Sequence, residues 1–96
     1  MMVLITYDVE TITTSGAKRL RRVAKECQNY GQRVQNSVFE CVLTEAQFVI
    51  LRNKITELID HKKDSVRFYN LGNHWNRRVE FIGKETSYDV NSELII

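Results

Sequence analysis

Two helical stripes set among strand-like segments constrain this chain more than any other feature. Leu20, Val23, Ala24 and Cys27 fall at i, i+3, i+4 and i+7, which makes one apolar face of a helix over about Ala17 to Tyr30. Phe48, Leu51, Ile55, Leu58 and Ile59 make a second stripe. It follows Thr44-Glu45-Ala46-Gln47, a capping-box pattern that opens a helix. Val3 to Val9, ahead of the first stripe, is β-branched and aromatic and reads as a buried strand. Gln32 to Leu43 lies between the stripes and reads as extended chain, which a tight turn or bulge at Asn36-Ser37 splits into two strands. Ser65 to Leu71 alternates, with Val66 and Phe68 on one side and Arg67 and Tyr69 on the other. Val79 to Ile82 reads as a last short strand. Thr11 to Gly16 reads as a loop, and Gly31 sits where a left-handed helix cap belongs.

This order, β-α-β-β-α-β with an extra C-terminal strand, is that of an α+β ferredoxin-like sandwich built from two split βαβ units. Both helices cover one face of an antiparallel sheet. The other face is left open, and an uncovered apolar face asks for a partner. A homodimer packed sheet on sheet is the simplest answer, because twofold pairing is the commonest symmetry. The 96 residues suit a single domain, with 1–83 as core and 84–96 as a tail for dimer or partner contacts. The apolar end Leu94-Ile95-Ile96 suits strand addition to the edge of a partner's sheet.

Composition narrows the class. With 43% apolar and 27% charged residues and no proline, the chain is neither disordered nor collagen-like. No apolar run is long enough to span a bilayer, and the N-terminus lacks the flank and cleavage site of a signal peptide, so a cytoplasmic protein is expected. Cys27 and Cys41 each sit in an apolar periodic segment without metal-type spacing, and read as small buried hydrophobes. His61 and His74 read as surface residues.

The net charge is only +2, but residues 17–34 hold six Lys or Arg against one acid, Glu26. Lys18, Arg19, Arg21, Arg22 and Lys25 form a cationic ridge opposite the apolar stripe. Such a ridge follows a phosphate backbone without reading bases. A merely solvated face has the same composition. Arg33, Gln35 and Ser37 could contact phosphates or hold the Asp8 loop, and Phe39 is either a core residue or a stacking surface.

Asp8 is the acid best placed for chemistry. It ends the first strand, held by scaffold yet open to solvent. One carboxylate is a poor metal site, but twofold symmetry could bring two copies together. Two carboxylates with open water positions suit Mg²⁺ or Mn²⁺. The alternative is an aspartate that simply ends a strand and starts a turn. No nucleophile-base triad, phosphate loop or dinucleotide fingerprint is present.

Three segments together carry a resemblance: Leu4-Ile5-Thr6-Tyr7-Asp8-Val9, Lys18-Arg19-Leu20-Arg21-Arg22-Val23-Ala24-Lys25, and Gly31-Gln32-Arg33-Val34-Gln35-Asn36-Ser37-Val38-Phe39-Glu40. Over about the first eighty residues the chain resembles the CRISPR-associated Cas-two family, and the third segment looks most like the subtype I-C branch. The resemblance implies a ferredoxin-like homodimer with Asp8 of each chain at the interface, holding a divalent metal. It implies metal-dependent nuclease activity on double-stranded DNA or on RNA. It also implies an adaptor role in spacer acquisition, joining the Cas-one integrase and binding duplex DNA. Tyr7, Arg19, Arg22, Arg33 and Phe39 match positions thought to support binding or cleavage, and Arg19 and Arg21 are interchangeable in that match. A non-catalytic ferredoxin-like nucleic-acid-binding or regulatory module is the alternative reading.

Overall fold

The computed structural model describes residues 1–10 and 13–83. Four strands, β1 (Met2–Asp8), β2 (Gly31–Gln35), β3 (Val38–Val42) and β4 (Ser65–Gly72), form one antiparallel sheet in the order β2-β3-β1-β4. Helix α1 (Thr14–Gln28) follows β1, and α2 (Glu45–Leu58) follows β3. This is the ferredoxin-like arrangement, with β1 at the centre of the sheet.

Alternation along the strands decides which face the helices cover. Val3, Ile5 and Tyr7 point inward from β1, paired with Cys41 and Phe39 of β3 and with Phe68 and Val66 of β4. These residues meet Leu20, Val23, Ala24 and Cys27 of α1 and Leu51 and Ile55 of α2 in one core. Phe48 lies edge-on to Phe68, with ring centroids 5.7 Å apart, and fastens α2 over β4. Both cysteines are buried free thiols, and the Cys41 thiol donates to the Cys27 carbonyl at 3.4 Å.

The local signals at the middle of the chain are realised. Asn36 and Ser37 form the β2–β3 turn, and the register shifts between Arg33 and Gln35. Thr44 and Gln47 bond reciprocally, the Thr44 hydroxyl accepting from the Gln47 N–H at 3.1 Å and the Gln47 side chain accepting from the Thr44 N–H at 3.0 Å.

Three expectations are corrected. Helix α1 starts at Thr14 rather than Ala17, because Thr13 caps it by accepting from the Gly16 N–H at 3.1 Å. Gly31 is not a left-handed cap. Asn29 ends the helix in right-handed geometry, and Gly31 opens β2. A side chain there would put its Cβ 1.9 Å from the Glu40 carbonyl oxygen, so glycine is required by the close approach of β3. Val79–Ile82 forms no strand and pairs with none of the four described strands. Past a short 3₁₀ turn at Trp75–Arg77, it leaves Phe81 and Ile82 exposed. The tail 84–96 lies outside the described residues.

The open face of the sheet is mixed rather than uniformly apolar. The same registers place Leu4, Thr6 and Asp8 of β1 there with Val38 and Glu40 of β3 and Arg67 and Tyr69 of β4. Among the described residues no helix is long and apolar enough to cross a membrane.

Candidate functional site

Asp8 is the last residue of β1, and alternation turns it to the open face while its neighbour Tyr7 turns into the core. The carboxylate is exposed, and among the described residues it makes no salt bridge. Its backbone is held from both sides. Asp8 pairs with Ser65 of β4, and the Tyr7 N–H donates to the Ser37 carbonyl at 2.9 Å. A rigid strand end thus presents a solvated negative charge.

Behind Asp8 lies a buried polar network centred on Asp64, just ahead of β4. Its carboxylate is closed to solvent and accepts from the Tyr7 hydroxyl at 2.6 Å, from Arg19 Nε at 2.7 Å and Nη2 at 3.1 Å, and from the Asp60 N–H at 3.0 Å. The Glu10 N–H approaches at 3.4 Å. Burial alone would raise the Asp64 carboxyl, but Arg19, Tyr7 and the two backbone N–H groups outweigh it and hold it well below the usual carboxylate range. Burial, and then the Asp64 carboxylate, push the Tyr7 phenol up. The bond to Asp64 raises Arg19 in turn.

This network corrects three expected contacts with nucleic acid. Tyr7 and Phe39 are core residues at 1% and 0% exposure, so neither ring is open to a base. The Arg19 guanidinium is taken by Asp64 in a two-pronged ion pair and does not belong to the outward ridge. Arg19 and Arg21 are therefore not interchangeable.

The remaining cations are brought together. Lys18, Arg21, Arg22, Lys25 and Gln28 of α1 line one shallow concavity with Arg33 of β2. Arg33 also donates to the Asn36 carbonyl at 2.7 Å and lies over the Phe39 ring at 5.7 Å, which orients its fork. This concavity is on the helix side of the sheet. Asp8 is on the other side, so within one chain the structure does not join the basic face to the carboxylate.

Around Asp8 itself, Thr6, Tyr7, Ser37, Val38, Ser65 and Arg67 line a second open concavity. Ser37 is thus placed beside Asp8 rather than on the basic face. Sequence reading missed Arg67 and Asp64. Arg67 was legible as an outward residue of β4, but only the pairing Thr6↔Arg67 and Asp8↔Ser65 puts it beside Asp8. Asp64 is one charge in the polar stretch Asp60-His61-Lys62-Lys63-Asp64 after α2, and nothing local marks it out.

An exposed carboxylate among hydroxyls is a hard-oxygen environment, which fits Mg²⁺ or Mn²⁺ better than a soft metal. Among the described residues no three His, Cys, Asp or Glu side chains are grouped to hold an ion. Asp8 therefore fits such a cation only as one of several ligands, the rest coming from water, substrate or a second copy of the chain.

Comparison with known proteins places the chain. The family model described as CRISPR associated protein Cas2 matches residues 1–79. The chain is 57% identical over 95 residues to the CRISPR-associated endonuclease Cas2 of Halalkalibacterium halodurans, covering 99% of each protein. It is 55% identical over 96 residues to the CRISPR-associated endoribonuclease Cas2 of Chlorobaculum tepidum, covering 100% of each. Among solved structures, Streptococcus pyogenes Cas2, crystallised at pH 6.5, superposes with a TM-score of 0.79 at 63% identity, over 86% of this chain and 100% of that one. The hypothetical protein TT1823 of Thermus thermophilus superposes with a TM-score of 0.71 at 30% identity, over 88% of this chain and 93% of that one.

Proposed function

Because the chain belongs to the CRISPR-associated Cas2 family, we propose that it is a homodimeric, duplex-binding protein of CRISPR adaptation with a metal-dependent phosphodiesterase site at Asp8. The observation that carries the catalytic half is Asp8 itself, an exposed carboxylate, free of salt bridges among the described residues and fixed at the end of the central strand. Its position on the open face is what a dimer packed through that face needs to bring two such carboxylates together. Relatives named as an endonuclease and as an endoribonuclease support hydrolysis of a nucleic-acid backbone and leave both DNA and RNA as substrates.

A bound Mg²⁺ or Mn²⁺ would polarise a phosphodiester and lower the pKa of a water. The chain's own contribution is positional. Asp8 offers a hard oxygen ligand, the Tyr7–Asp64–Arg19 network stiffens the strand end, and the basic face holds the polymer. Duplex DNA suits that face because backbone contacts accept any sequence, as a carrier of new spacers must. The Cas-one integrase is the partner in this reading, the cytoplasm its compartment, and the resemblance of Gly31–Glu40 supports the subtype I-C branch.

One observation favours a second reading, a non-catalytic adaptor. A site with a single suitable carboxylate among the described residues is sparsely equipped beside phosphodiesterases that gather several. Purified wild type, Asp8→Ala and Asp8→Asn, incubated with duplex DNA and with RNA in Mg²⁺, Mn²⁺ or chelator, decide between them. The catalytic reading expects cleavage by wild type only, and only with metal. Equal rates for wild type and Asp8→Ala would assign the activity elsewhere and leave the adaptor.

A further inference from the structure

The concavity around Asp8 contains two charged side chains, and only one of them is the carboxylate. Arg67 projects from β4 on the same face. It is paired with Thr6, while Asp8 is paired with Ser65, so Arg67 is the diagonal neighbour of Asp8 across the antiparallel ladder. Diagonal neighbours of this kind stand roughly 7–8 Å apart. They are not in ion-pair contact, since the described residues show no salt bridge between them. The nearest partner of the Arg67 guanidinium is the Tyr69 hydroxyl, at 3.5 Å. A contact that long leaves most of its five N–H donors uncommitted. In the single chain Arg67 is exposed, and it lines the same concavity as Asp8, Thr6, Ser37 and Ser65.

A carboxylate alone repels a phosphodiester. A guanidinium one step across the sheet, in the same open concavity, supplies the missing attraction. We propose that Arg67 is the phosphate-receiving residue of the Asp8 site, its fork taking a non-bridging oxygen of the scissile phosphodiester. The assignment rests on Asp8 as the site of hydrolysis. In that reaction a water oxygen forms a bond to phosphorus and gives up a proton to solvent, the bond from phosphorus to the leaving sugar oxygen breaks, and that oxygen gains a proton from solvent. Arg67 exchanges no proton. It opposes the negative charge that grows on the non-bridging oxygens, and a fork geometry does this better than a point charge.

Two measurements test this. In the first, cleavage by Arg67→Ala, Arg67→Gln and Arg67→Lys is compared with wild type and Asp8→Ala. Removing one such donor should lower kcat on the order of 10²-fold. Lysine should restore part of the loss, and guanidinium chloride in the millimolar range should rescue the alanine variant, which a folding defect would not permit. In the second, dimethyl phosphate is titrated into the metal-free protein in chelator while the Arg67 Nε–Hε resonance is followed by NMR. A saturable shift is expected, with the Tyr69→Phe protein behaving alike. Wild-type cleavage by Arg67→Ala beside a dead Asp8→Ala would overturn the assignment and leave the Asp8 reading standing. If Asp8→Ala cuts normally, the Asp8 reading fails, and the resonance titration alone then decides whether Arg67 receives phosphate. An unmoved resonance overturns it.

Discussion

The Arg19 guanidinium grips the Asp64 carboxylate with two prongs, Nε to Oδ2 at 2.7 Å and Nη2 to Oδ1 at 3.1 Å, across 45 positions of sequence. The same Oδ2 accepts from Tyr7, so one carboxylate ties α1 and β1 to the segment leading into β4. Breaking a buried pair from one side leaves an uncompensated charge. Asp64→Ala should therefore cost about 3 kcal/mol of folding stability. Urea unfolding checks this. A decrease within the ±0.5 kcal/mol usual for surface changes would mean that the pair is incidental.

The same carboxylate makes stability depend on acid. Its folded pKa is depressed, while an unfolded aspartate titrates near ~3.9. Above the unfolded value the contribution is fully present, and it is lost as pH falls through that value toward the folded one. Wild type should thus lose stability progressively from about pH 5 toward pH 1. Asp64→Asn starts lower at neutral pH and should show a shallower decline across that window. Parallel curves for the two proteins would assign the acid sensitivity to other carboxyls.

On the basic face, Arg21→Ala, Arg22→Ala and Lys25→Ala combined should weaken binding to all duplexes alike. The slope of log affinity against log salt should flatten by about 0.9 for each phosphate that is no longer neutralised. Arg19→Ala should behave differently, lowering stability while leaving the slope nearly unchanged, because its charge already belongs to Asp64. Asp8→Ala should bind duplex as well as wild type. Fluorescence anisotropy at several salt concentrations separates these cases.

Association is tested at the end of the described chain. Phe81 and Ile82 are adjacent and 62% and 87% exposed, a small apolar surface that a partner subunit would cover. Light scattering should give a dimer at micromolar concentration. Phe81→Ser with Ile82→Ser should weaken it, as should removal of residues 85–96. A wild-type monomer at that concentration would end the dimer reading.

How much of this was legible in the sequence depends on the reach of each interaction. The helical stripes, the Thr44–Gln47 capping box and the Asn36–Ser37 turn are written within a few neighbouring residues, and each formed as its local pattern dictates. The start of α1 was hidden because threonine, serine and glycine compose both loops and first helical turns, and only the bond from Gly16 to Thr13 separates the two. Arg19 carried an overlooked clue. It stands three residues after buried Gly16 and four before buried Val23, so it flanks the apolar stripe rather than crowning the opposite face. Its partner Asp64 had no such trace, because nothing local links positions 19 and 64. The Asp8–Arg67 neighbourhood likewise depends on strand register, which alternation fixes in parity but not in pairing.

The sheet also acts as a partition. The cations of the α1 concavity lie on one side and the solvated aspartate, with Arg67, on the other, with a packed layer of Val3, Ile5, Phe39 and Cys41 between them. A duplex resting on one chain's helices is thus screened from that chain's own carboxylate. If the basic face carries nucleic acid and Asp8 cuts it, as proposed, the two are separable traits. On that proposal a lineage without Asp8 would keep the basic face intact, and selection on either trait could proceed without disturbing the other.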